Sequence, residues 1–197
     1  MATIINASTS AGLVQTADTS GNLNLQSNGS TIVAVSSTGA AVTGTLSASG
    51  GIAKASLPTG SVLQVVNNST DTSTGTTSTS YVTSSLTATI TPTSATSKIL
   101  IFVSLGTQVG GGANGIYTVF RGTVAGTNLI SAANGFGLNA TSGTTQVSVT
   151  SGTFLDSPAT TSATTYTVGI KSSAGGTLVY AQAFNTTSTI TLMEIAA

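Results

Sequence analysis

The pattern of apolar and polar positions changes character about a third of the way along this chain. Up to residue 57 the apolar residues come in short pieces: Leu23-Asn24-Leu25, Ile32-Val33-Ala34-Val35, Ala41-Val42-Thr43 and Thr45-Leu46. Gly21, Gly29, Gly39, Gly50 and Gly60 punctuate them with a regular beat. Each piece reads as a strand of a few residues closed by a Ser/Thr/Gly turn. So short a unit cannot bury its apolar face alone and must stack on neighbours. A single-chain solenoid would do this, as would three chains wound into a fibrous β stalk. With so few units the solenoid would have little core, which favours the intertwined trimer. Met1 to Ala11, carrying Ile4-Ile5, reads as a short arm able to dock on another protein.

From Pro58-Thr59-Gly60 onward the segments lengthen, as in an all-β sandwich or barrel. The expected strands are Ser61–Val66, Tyr81-Val82 with Leu86–Thr91 (a strand pair or one bulged strand), and Lys98–Gln108. Gly115–Phe120 follows, forming a hairpin through Arg121-Gly122 with Thr123–Asn128. Thr145–Phe154, Thr165–Ser172, Thr177–Phe184 and Thr189–Ile195 complete the set. Asn67–Thr79 reads as a polar loop, Leu129–Leu138 as irregular, and Leu155-Asp156-Ser157-Pro158 as a turn, since Pro cannot continue a central ladder. Ser97–Leu105 is the longest run of large apolar and β-branched residues. Turn chemistry bounds it on both sides, so it is expected to be a central strand buried on both faces. No helix longer than a turn is expected. The fold class is therefore all-β: residues 1–57 a short-strand stalk or attachment region, and residues 58–197 a jelly-roll-like β-sandwich head, the whole trimeric.

Composition supports folding over disorder. Charged residues make up 4% of the 197 residues, yet 39% are hydrophobic and the mean hydropathy is +0.38. Disordered chains usually combine low hydrophobicity with high net charge. The net charge is zero, and Lys54, Lys98, Arg121 and Lys171 are scattered. That argues against nucleic acid or anionic lipid as a partner, both of which need clustered Lys or Arg. No apolar run approaches the ~20 residues needed to cross a bilayer. No basic stretch followed by an apolar one opens the chain, so no signal peptide is expected. A chain this poor in charge aggregates unless its sheet edges are closed or covered, which points to an oligomer.

The reactive inventory is thin. With no His and no Cys there is no Ser-His-Asp triad, no thiol nucleophile and no usual zinc site. The acids are Asp18, Asp71, Asp156 and Glu194. Only Asp156 and Glu194 invite comparison with a glycosidase pair, and each is expected at a turn or on the surface. Lys98 and Lys171 have no Ser three residues before them. Gly110–Gly115 lacks the Lys-Ser/Thr and helix of a phosphate loop. Asp18–Asn22 lacks the further acids of a calcium loop. The sequons at Asn6, Asn28, Asn67, Asn68, Asn139 and Asn185 are expected by chance in a chain this rich in Asn, Ser and Thr. Tyr81, Tyr117, Tyr166 and Tyr180 read as core or seam residues before they read as sugar-stacking rings. No catalytic, cofactor-binding or metal-ligating residue is assigned, and no cofactor is expected.

Three segments carry a resemblance: Ile90–Ile101, Phe154–Tyr166 and Ser188–Ile195 resemble stretches recurrent in bacteriophage fibre-like structural proteins, notably of aquatic phages. The Phe120-Arg121-Gly122 hairpin fits, and Leu13–Gln26 looks like the repeat-bearing N-terminal part of such proteins. The resemblance implies a trimeric, non-enzymatic virion surface protein. Residues 1–57 would bind other virion proteins, and the head would meet a host glycan or receptor. A short tail fibre or adhesin is the favoured form. A capsid-mounted head fibre or cement protein is the alternative, given the chain's modest length. A free carbohydrate-binding module is the reading from a different class.

Overall fold

Thr, Val and Ile dominate the alternating segments, and their branched side chains pack well on a pleated surface. The computed structural model describes residues 22–46, 52–53, 57–130, 132–140 and 143–197. It divides into two compact units at Ile52/Ala53. Each is taken by itself. The arm Met1–Ala11 and the loop Asp18–Asn22, apart from Asn22, lie outside the described residues.

The first unit holds an antiparallel meander of β1 (Leu23–Ser27), β2 (Ser30–Ser36) and β3 (Gly39–Val42). The turn between β1 and β2 is Asn28-Gly29, both residues at positive φ (50° and 78°), as a two-residue hairpin loop requires. Cross-strand pairing places Leu23 opposite Val35, Leu25 opposite Val33, and Val33 opposite Val42. Leu23, Leu25, Val33, Val35 and Val42 therefore share one face. No described residue of the meander is buried. Thr45-Leu46, expected to be extended, lies past the last strand.

The second unit is a sandwich of two antiparallel sheets. Eight strands carry it: β4 (Val62–Thr70), β6 (Val82–Ile90), β7 (Lys98–Val109), β8 (Asn114–Arg121), β10 (Gly137–Ala140), β11 (Gln146–Asp156), β12 (Thr164–Ser172) and β14 (Ser188–Ile195). One sheet runs β4-β14-β7-β11, and the other β6-β12-β8-β10. The antiparallel partners are thus first with eighth, second with seventh, third with sixth, and fourth with fifth. That nested order is one long hairpin ribbon rolled over on itself, the jelly-roll wind. Three minor strands complete the sheets: β5 (Thr74–Thr76), β9 (Thr127–Asn128) and β13 (Val179–Ala181).

β7 is the spine of the larger sheet. Along one edge it pairs with β11 from Ile99 to Val109. Its other edge is shared by β14, at Lys98–Ser104, and β13, at Thr107–Val109. Ile99, Ile101, Val103, Leu105 and Val109 point into the core, each at most 3% exposed. They meet Leu86, Ala88 and Ile90 of β6, Tyr117 and Val119 of β8, and Tyr166, Val168 and Ile170 of β12. Each such side chain contributes roughly 1.5–3 kcal/mol by area bookkeeping, an upper estimate. The opposite face of β7 is not buried as expected: Leu100 is partly exposed and Phe102 is 39% exposed. An unbroken apolar run cannot distinguish a strand covered twice from one whose second face is left open by its own chain.

Other departures are local. β4 continues through Asn67–Thr70, and β5 lies within the expected loop, because the ladder to β14 satisfies the backbone whatever the polarity of the side chains. β6 is one bulged strand, with Ser85 at φ 67°. β10 begins inside the stretch expected to be irregular, and β11 runs on to Asp156 before the turn. The hairpin after β8 pairs only Thr127–Asn128 across a five-residue loop. Thr177–Phe184 is strand only at Val179–Ala181; the chain then leaves through Gln182 (φ 52°) into a 3-10 turn, Ala183–Asn185. This excursion lies where β7 changes partner from β14 to β13. Gly106 sits at that point, and a β-carbon there would stand 2.1 Å from the Thr186 hydroxyl.

Gly106→Ala is therefore expected to cost about 1–3 kcal/mol through overpacking. Thr186→Ala in the same chain should recover much of the loss, measured as urea midpoints. Equal costs with and without Thr186 would show that the excursion is free to move.

Candidate interaction surface

The two acids singled out by the sequence are both buried, contrary to the expected turn or surface positions: Asp156 is 8% exposed and Glu194 fully buried. Both lie opposite Ile99, on the two strands flanking β7, so one aliphatic residue stands between them. Each carboxylate is engaged by other partners. Gln64 Nε2 donates to Glu194 Oε2 at 2.6 Å, and the Thr93 N–H and hydroxyl donate to Oε1 at 2.7 and 2.8 Å. Thr93 belongs to the connection that carries the chain from one sheet to the other. Gln64 also donates to the Thr91 carbonyl, at 2.7 Å. Asp156 Oδ2 accepts from the Tyr166 hydroxyl at 2.7 Å and pairs with Arg121 Nε at 3.3 Å, reaching two strands of the opposite sheet. At one end of the sandwich Asp156 therefore fastens sheet to sheet, and Glu194 fastens the connection between the sheets to β14 and β4.

The electrostatics agree with that role. Burial pushes the Glu194 carboxyl up, but the Ser97, Gln64 and Thr93 side chains and the Thr93 N–H outweigh it and hold it below its ordinary value. Burial, reinforced by the hydrogen bond to Asp156 and its charge, raises the Tyr166 hydroxyl. At the other end of the core burial pushes Tyr117 up to about 12, although Thr107 and Asn139 lie close by. There Asn139 Nδ2 donates to Ser148 Oγ at 2.9 Å, and Thr107 Oγ1 is 3.0 Å from the same hydroxyl. Gln182, wholly buried, takes the amide orientation that donates to the carbonyls of Ser84 (2.8 Å), Thr72 (3.2 Å) and Ala181 (3.2 Å).

The remaining sequence candidates are dispersed. Asp71 is exposed, in the loop after β4. The glycines from Gly110 to Gly112 form the tight β7–β8 turn, with Gly110 donating to the Leu178 carbonyl at 2.9 Å. Lys171 lies 4.5 Å from the centroid of the Tyr81 ring, which meets Phe120 edge-on at 5.3 Å. Tyr117 and Tyr166 are core residues, while Tyr81 and Tyr180 are partly exposed. Among the described residues no group of three or more His, Cys, Asp or Glu comes together. No described helix is long and apolar enough to cross a membrane.

What sequence reading missed is the difference between the two outer faces of the sandwich. The centre of the smaller sheet's outer face is covered by its own chain. Phe120 is buried against Gly169, whose missing β-carbon makes the room, and Asn128 Oδ1 accepts from the Thr118 hydroxyl at 2.6 Å. The larger sheet has no such cover. Val65, Met193, Leu100 and Leu155 stand in one cross-strand row over β4, β14, β7 and β11. In the next row Phe102 stands between Thr191 and Thr153. Val149 follows further along β11, 72% exposed. A shallow groove of about 570 Å³ crosses this face, lined by Phe102, Ser104, Ser151, Thr153, Thr189 and Thr191 among others. No charged side chain lies in it.

No protein-family model matches this chain, and no curated protein matches it either. Among solved structures it is similar to a chain in "Structure of infectious bursal disease virus Gx strain", with 16% sequence identity and a TM-score of 0.34. The overlap covers 69% of this chain and 33% of that one, so this chain spans about a third of that chain's length.

Two pH limits follow from the buried groups. Glu194 is held lower in the folded chain than in the unfolded one. Its stabilisation is therefore complete above about pH 4.5 and is lost as the pH falls through its folded value. Glu194→Gln should lower stability near neutral pH by ~1.5–3 kcal/mol and flatten the loss in acid. Tyr117 shifts the other way: its contribution is complete below about pH 10 and is lost as the pH rises towards about 12. Tyr117→Phe should keep the fold and soften the alkaline limb. Urea midpoints from pH 3 to 12 check both; profiles parallel to wild type would contradict the assignments.

Proposed function

We propose that this chain is a non-enzymatic structural protein of a bacteriophage virion. It forms a short trimeric surface fibre, held to the particle through residues 1–57 and displaying the jelly-roll head as a tail fibre or adhesin. The observation that carries this reading is how the ionisable groups are used. Asp156 is consumed in joining the two sheets and Glu194 in holding the connection between them, so the head's buried acids hold the fold together instead of facing a substrate. What the head offers its surroundings is surface: an uncovered sheet face and few charges. The sequence resemblance at Ile90–Ile101, Phe154–Tyr166 and Ser188–Ile195 supports the same reading.

Assembly is also favoured by the first unit. A three-stranded meander with no buried residue has too little core for independent stability. Stacking against other copies or other virion proteins would supply the missing contacts. For host contact the available rings are Phe184, 73% exposed on a left-handed turn, and the partly exposed Tyr81 and Tyr180.

Gold-labelled antibody raised against residues 58–197, applied to purified particles, tests the proposal. Label at the tail is the expected outcome. Label spread over the shell would replace the fibre with a capsid decoration protein, and particles without label would remove the virion role.

A further inference from the structure

We infer that the outer face of the larger sheet, centred on Leu100 and Phe102, is the surface through which heads of this chain join one another. This deepens the proposed function, because a fibre of several copies needs a contact between its heads. The argument begins with what is left open. Of the two outer sheet faces, one is covered around Phe120 by the chain's own loop and by Tyr81. The other presents the apolar row Val65, Met193, Leu100 and Leu155, with Phe102 and Val149 beyond it. Val65 is 55% exposed and Leu155 58% exposed, although they stand beside a half-covered leucine at the centre of the sheet.

The chemistry of the face selects its occupant. Within these rows Lys98, at one end, is the one charged residue, so two identical faces meet without repulsion and no oppositely charged partner is called for. Its polar residues are hydroxyls (Thr191, Thr153, Ser104, Ser151) and the amides Asn67 and Gln108, Asn67 Nδ2 donating to Thr191 Oγ1 at 2.8 Å; each of these groups can donate or accept, which suits pairing with a copy of the same surface. The size is sufficient. Four strands at ~4.8 Å spacing and about eleven residues at ~3.3 Å rise cover on the order of 700 Å². A standard interface uses roughly 800 Å² per partner, with an apolar centre and polar rim. Sheets pack face to face in this way at ~10 Å separation inside ordinary sandwiches. A glycan would need several flat exposed rings with carboxylates around them. This face has a single Phe and no acid.

Sedimentation velocity of the full chain tests the inference. Wild type should sediment as an oligomer, and the Val65→Lys/Leu155→Lys double variant as a smaller species with unchanged circular dichroism. Leu138→Lys, an exposed apolar position in the other sheet, should sediment like wild type. A monomeric wild type, or a folded double variant that sediments like wild type, would overturn the inference. Should the double variant fold poorly, the cysteine-free background offers a second reading. A thiol introduced by Thr153→Cys should react with a bulky maleimide several-fold more slowly than one introduced by Thr161→Cys, and equal rates would also overturn it. The two proposals fail separately. Particles can carry the protein while its heads stay apart, and heads can join through this face in a protein absent from particles.

Discussion

The inward row of β7 is the constraint on which the rest of the sandwich depends. Ile99, Ile101, Val103, Leu105 and Val109 touch all three long strands of the opposite sheet, while all of these residues but Leu105 are paired along both edges. A slip of one residue would turn the whole row outward and bring Leu100, Phe102 and Ser104 in. It would also dislodge Glu194 and Asp156 from their places on either side of Ile99. Register, core and the two buried acids are therefore one decision made once.

With only four acids and four bases in 197 residues, charge serves this fold in an unusual way. Glu194 and Asp156 are placed at the end of the sandwich where the chain crosses between sheets through Thr93. A carboxylate accepts several hydrogen bonds at once, so Glu194 holds a connection and a neighbouring strand together while Asp156 holds two strands of the facing sheet. The same burial makes each acid costly if any partner is lost. Elsewhere the corresponding work falls to neutral groups, such as the Gln182 amide among carbonyls and the Asn139–Ser148–Thr107 hydroxyl cluster.

The legible part of the sequence was its alternation. Tyr166, Val168 and Ile170 announce one face of a strand, and all three are buried. The order of strands and the two-sheet class followed from the spacing of turns. Illegible parts have physical causes. Asn67–Thr70 joins a ladder because backbone pairing is indifferent to polar side chains on a solvated edge. The excursion after Ala181 is set by a buried amide whose partners, Ser84 and Thr72, lie about a hundred residues earlier. The burial of Asp156 and Glu194 depends on Tyr166, Arg121, Gln64 and Thr93, which only the rolled topology brings near. Nothing local to either acid distinguishes it from a turn carboxylate.

The reading of Ser97–Leu105 shows the same limit from the other side. Its residues from Ile99 to Val103 are all large and apolar, which is the pattern of a strand covered on both faces, yet one chain covers only one of them. A monomeric sandwich with low charge normally places Thr, Ser or Lys along its outer face. This chain does so at Thr189 and Thr191 of β14 and Ser151 and Thr153 of β11, then interrupts them with Met193, Leu155, Leu100 and Phe102 in adjoining rows. That placement has no use in the interior of a single chain, because none of these side chains points towards the core. It suits a second layer of packing supplied from outside the chain, as the inferred contact between heads would provide.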